Sequence, residues 1–63
     1  MGESQEKILA IVTTDKGKVL NSGAPVFLVG DRKEQERLSL ILGRILKGMP
    51  HDLENGVYVI IRH

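Results

Sequence analysis

The chain has no cysteine and no tryptophan, and Phe27 and Tyr58 are its sole aromatic residues. The first absence excludes disulfide staples and thiolate zinc sites. The second leaves poor support for binding modes that stack nucleic-acid bases on several rings. Neither sign of charge prevails: 9 Lys and Arg face 8 Asp and Glu, for a formal net charge of +1. A protein that coats nucleic acid is expected to carry a strong basic excess. No apolar run approaches the ~20 residues that span a bilayer. The opening "MGESQEK" lacks the apolar core of a signal peptide, and position 6 is Glu6 where myristoylation needs Ser or Thr. These features lead to the expectation of a cytoplasmic protein that makes no use of a membrane.

What is present is a 41% share of hydrophobic residues, too high for a disordered chain. A chain of 63 residues makes one domain. A domain of this size buries only about 60% of its unfolded surface and usually leans on disulfides, a metal or oligomerisation. With cysteine excluded and two histidines in all, self-association gains weight.

Residues 1–6 read as a frayed tail. "KILAIVTT" (7–14) is a β-branched, nearly continuous apolar run and reads as a buried strand. "DKGK" (15–18) suits a tight turn with Gly17 at positive φ, and "KVL" (18–20) reads as the returning arm. After the loop "NSGAP", the run "VFLVG" (26–30) is a third strand. Asp31, followed three residues later by Glu34, has the spacing of a capping box, so a helix is expected from Arg32 to about Lys47. Leu38, Ile41, Leu42, Ile45, Leu46 and Met49 fall on one broad face of it, and Gly48 and Pro50 end it. "MPHDLENG" (49–56) reads as a linker and "VYVIIR" (57–62) as the last strand. The expected fold is α+β: a small mixed sheet in the order β-β-β-α-β with one helix on one face. Val26–Arg62 has the length of a crossover between parallel strands.

The long strands are apolar on both sides. Successive strand residues point to opposite faces, so Ile8, Ala10 and Val12 oppose Leu9 and Ile11, Val26 and Leu28 oppose Phe27 and Val29, and Val57, Val59 and Ile61 oppose Tyr58 and Ile60. One helix covers one face. Each Val, Leu, Ile or Phe left bare forgoes roughly 1.5–3 kcal/mol. The expectation is a homodimer, by sheets packed face to face or strands joined edge to edge, with Leu9, Ile11, Phe27, Val29, Tyr58 and Ile60 as self-association residues. The alternative is a sheet that rolls up, or one covered by the tail and the 49–56 linker, with Leu53 helping.

Three sites are candidates. Lys33, Arg37, Arg44 and Lys47 line the solvent side of the expected helix with Leu40 among them. This ridge suits an acidic protein partner or phosphates, or is simply a solvated face. Gly30 and Arg32 at the helix start could hold an anion, although Asp31 places a carboxylate where the anion would sit. His51 and His63, with Asp52, are of metal-ligand type. No P-loop, dinucleotide fingerprint or nucleophile elbow is present, so no catalytic residue and no cofactor are expected. The leading reading is a small self-associating interaction or regulatory module, not an enzyme, whose basic ridge contacts a partner. A nucleic-acid binder with paired basic helices is the second reading, and a metal- or anion-binding accessory protein with a shared site is the third.

Overall fold

The computed structural model describes residues 7–19 and 22–62. The elements are β1 (Ile8–Thr13), a one-turn 3-10 helix (Lys16–Lys18), β2 (Val26–Leu28), α1 (Arg32–Leu46), β3 (Gly48–Asp52) and β4 (Val57–Arg62). The strands form one mixed sheet in the order β2-β1-β4-β3. β1 and β2 are parallel, and β4 is antiparallel to both of its neighbours. The α+β class expected from the sequence therefore holds, with one helix on a four-stranded mixed sheet.

Two segments differ from expectation. Residues 16–18 form a 3-10 turn instead of the start of a hairpin arm, because Asp15 caps it: Gly17 N–H donates to Asp15 Oδ1 at 2.9 Å. Left-handed backbone occurs at Lys47, Glu54 and Gly56, with φ of 58°, 64° and 91°, and not at Gly17. Of the expected arm 18–20, Leu20 lies outside the described residues. The stretch read as a linker instead holds β3, joined to β4 by a turn in which Leu53 N–H donates to Val57 O at 3.0 Å. With that bond, alternation along an antiparallel pair turns Pro50 outward. There its missing N–H costs no ladder bond, the position where proline is tolerated in a sheet. The parallel partner that α1 leads to is thus β3, while β4 runs opposite to β2.

α1 begins at Asp31, whose side chain accepts from Glu34 N–H at 2.8 Å. It ends at Lys47, which takes the left-handed cap conformation. The buried side of α1 is not the expected apolar stripe. Gln35, Ser39, Leu42 and Gly43 face the sheet, while Ile41 and Ile45 stay exposed. The reason is close approach at the C-terminal end. A Cβ on Gly43 would lie 3.2 Å from both Gly48 O and Pro50 Cδ, so only a small residue lets α1 rest on β3 there. Gln35 is admitted to the interior because its side-chain amide donates to Val12 O at 3.0 Å and Gly56 O at 2.8 Å. Gly48 is needed for space as well. A Cβ there would meet Ile61 O at 2.7 Å and Ile60 Cγ2 at 2.9 Å.

Under α1 lies a core of Ala10, Val12, Val29, Leu42 and Ile60, with Leu9, Phe27, Leu38 and Tyr58 against it. Leu9 reaches this side because the β1–β4 register shifts between Ile8 and Ala10. Such a bulge breaks the strict alternation and turns Ile8 to the opposite face. On that face Ile11, Val57 and Val59 are buried, and Val19, Ala24 and Ile61 pack against them. Val19 and Ala24, from the β1–β2 connection, thus shield the middle of the second face. Among the described residues, Ile8, Val26, Leu28 and Met49 stay exposed at its periphery, and so does Leu53, the residue expected to help cover the face.

Candidate interaction surface

The outward side of α1 is set by the same helical phase. With Gln35, Ser39 and Leu42 inward, Lys33, Arg37, Leu40, Arg44 and Lys47 all lie exposed on the outer side. Leu40 is 60% exposed in the middle of them. Among the described residues, none of the four cations on this ridge pairs with a carboxylate; the ion pairs found there belong to Arg32. A shallow groove runs past Leu40, bordered by Lys33, Glu36 and Arg37. A second groove lies between Glu34, Arg37, Leu38 and Ile41. Chemically, this face offers an apolar side chain among four cations, with the carboxylates of Asp31, Glu34 and Glu36 along the groove at its N-terminal end.

The helix start is organised differently from an anion site. Glu34 Oε1 accepts the Gly30 N–H at 3.1 Å, and Asp31 occupies the Glu34 amide. Arg32 reaches Asp52 at 3.0 Å and Glu36 at 3.4 Å, tying α1 to β3. Tyr58 O–H donates to Glu36 Oε2 at 3.4 Å, adding β4 to the group. The nearby Tyr58 raises the already high Arg32 pKa, with Glu36 and Asp52 contributing. The Tyr58 phenol is itself pushed up, first by desolvation and then by Asp52. Gly30 and Arg32 are therefore close in space but already engaged with carboxylates.

His51 is exposed on β3, beside Val59 on the face away from α1. His63 lies outside the described residues. Among the described residues, no three His, Asp or Glu side chains gather as a metal site would need. Of the six residues expected at a self-association face, Leu9, Phe27, Val29, Tyr58 and Ile60 belong to the core under α1, and Ile11 is on the opposite face beneath the β1–β2 connection. The parallel register, which sets Ile11 beside Val26 and Val12 beside Phe27, makes this division. Sequence reasoning missed the buried Gln35, Ser39 and Gly43. Their signal is the spacing i, i+4, i+8 of small or amide side chains.

Fold and surface together define a small α+β protein with a charged helix face open to solvent. Residues 5–63 match the model of the family described as "Capping complex subunit for YIEGIA", and the chain belongs to that family. It is also 42% identical over 64 residues to the uncharacterized protein YpzH of Bacillus subtilis (strain 168), an alignment that covers 100% of this chain and 98% of the relative. No solved structure matches significantly. No helix among the described residues is long and apolar enough to cross a membrane.

Proposed function

We propose that the chain is a cytoplasmic, non-catalytic subunit of a capping complex, and that it binds the partner designated YIEGIA through the outward face of α1. The family description supports the assembly role. The observation that carries the choice of surface is Leu40, 60% exposed on a ridge with Lys33, Arg37, Arg44 and Lys47, which have no ion-pair partner among the described residues. Buried interface anchors are apolar or arginine side chains within a polar rim. Leu40 supplies the anchor, and Arg37 and Arg44 are the arginines best placed beside it. The complementary surface is acidic with an apolar recess.

The test is calorimetric titration of the chain into purified YIEGIA protein. The expected result is binding that weakens at least about tenfold when Arg37 and Arg44 are both changed to Glu, since charge reversal turns complementarity into repulsion. A control, Lys16→Glu in the 3-10 turn, leaves affinity unchanged. Equal affinity for the reversed variant contradicts the choice of surface. Salt-sensitive binding to DNA or RNA, with no binding to YIEGIA, transfers the ridge to the nucleic-acid reading.

A further inference from the structure

The two sheet edges differ. β3 is blunted by Pro50, whose outward position has no N–H to offer. Among the described residues, β2 has no such protection. Ile11 N–H donates to Pro25 O at 2.9 Å and Val29 N–H to Thr13 O at 3.0 Å. In a parallel ladder this alternation turns the backbone groups of Pro25, Phe27 and Val29 toward β1, and those of Val26 and Leu28 outward. Val26 and Leu28 therefore each present one amide and one carbonyl along the open edge, with side chains that are 42% and 58% exposed.

The helix leaves the same edge uncovered. α1 rests on β3, β4 and β1 and scarcely touches β2. Gly43 and Arg32 mark the flank of α1 that meets β3. Leu38, Ile41 and Ile45 lie on the opposite flank, toward the β2 side, and Leu38, like Phe27, packs against the core. Ile41 and Ile45 are 40% and 67% exposed. An unpaired edge and an apolar helix flank thus open in one direction.

We infer that a second copy of this chain pairs with β2 antiparallel, about a two-fold axis through Phe27, to give a continuous eight-stranded sheet. The edge is self-complementary in that register. Val26 opposes Leu28 of the second copy and Leu28 opposes its Val26, so every outward amide and carbonyl of both residues finds a partner. The two Phe27 side chains meet on the helix face. Ile41 and Ile45 of each copy close over them from the two sides. An unrelated extended peptide would satisfy the edge but not the apolar helix flank. A copy of the chain brings a second flank of the same kind, and this favours self-pairing. The inference does not depend on the partner proposed above, because it rests on the β2 edge and on Ile41 and Ile45, which flank the ridge and are not part of it.

The experiment combines sedimentation with cross-linking, in a protein that has no cysteine of its own. Wild type is expected to sediment as a dimer at micromolar concentration. Leu28→Pro, which removes an outward N–H, and Ile45→Lys, at a solvent-exposed position that the fold does not need, are each expected to yield folded monomers. Should Leu28→Pro fail to fold, Ile45→Lys still decides. Residues opposed in a hydrogen-bonded antiparallel pair lie about 5.5 Å apart, within disulfide range. Oxidising an equimolar mixture of V26C and L28C is therefore expected to give the linked dimer, and either variant alone is not. A wild-type monomer up to millimolar concentration overturns the inference. So does a dimer that survives Ile45→Lys, or one in which V26C links to itself as readily as to L28C. Binding of YIEGIA by a monomeric wild type would remove this dimer and leave the proposed function standing.

Discussion

The side-chain amide of Gln35 donates to the carbonyl of Gly56 at 2.8 Å, joining the first turns of α1 to the β3–β4 turn across 21 residues of sequence. The same amide donates to Val12 O at 3.0 Å, and Gln35 is 1% exposed. Gly56 O also accepts from Thr14 N–H and from Thr13 Oγ1, each at 3.4 Å, so the Gln35 amide gives it its shortest hydrogen bond. Gln35→Ala is expected to lower the stability to chemical denaturation by about 1–3 kcal/mol, through the loss of two hydrogen bonds and the space left by a buried side chain. Gln35→Glu is expected to be worse at neutral pH, because a carboxylate faces two carbonyl oxygens. Its deficit shrinks as the pH falls, since the neutral acid regains one donor. Denaturation curves at pH 7 and pH 5 check both statements.

A pair of glycines separates space from conformational freedom. Neither Gly48 nor Gly23 has a positive φ among the described residues. A Cβ at Gly48 would lie 2.7 Å from Ile61 O, whereas at Gly23 nothing lies within 4 Å. Gly48→Ala is expected to destabilise by about 1–3 kcal/mol through overpacking. Gly23→Ala is expected to be neutral or to stabilise slightly by restricting the unfolded chain. Thermal melts of the two variants make the comparison.

Tyr58 is the sole tyrosine, so its phenolate absorbance reports one group. Its midpoint is expected above the ordinary 10.0, chiefly because of desolvation, with Asp52 adding to the shift. Asp52→Asn is expected to lower that midpoint. The sign for stability follows from linkage: a raised folded-state pKa contributes fully below the unfolded value and is lost as the pH climbs through the folded one. Tyr58→Phe should therefore lose less stability than wild type as the pH rises above 10. Alkaline spectrophotometric titration and melts over the same range test this.

The elements legible in the sequence are those set by local chemistry. Asp31 and Glu34 announced the helix start, and the β-branched runs at 8–13 and 57–62 announced the central strands. β3 escaped because Pro50 reads as a breaker unless its outward place on an edge is known. The buried side of α1 escaped because Gln35 depends on Val12 and Gly56, and Gly43 on Gly48 and Pro50, all contacts set by tertiary packing. The face assigned to Leu9 escaped because one bulge reverses the alternation. The ridge from Lys33 to Lys47 was legible as an outer face, since charged side chains at that spacing remain in water whichever neighbouring residues turn inward. The open edge at Val26 and Leu28 required the sheet order, which no local pattern encodes.

Leu40 gives the most direct test of the account. Leu40→Ala removes the exposed apolar side chain at the middle of the ridge without touching the core. Calorimetric titration with YIEGIA protein is expected to show affinity reduced at least about tenfold, the behaviour of an interface anchor, while the melting temperature stays unchanged. Wild-type affinity in that variant would contradict the claim that the outward face of α1 binds the partner.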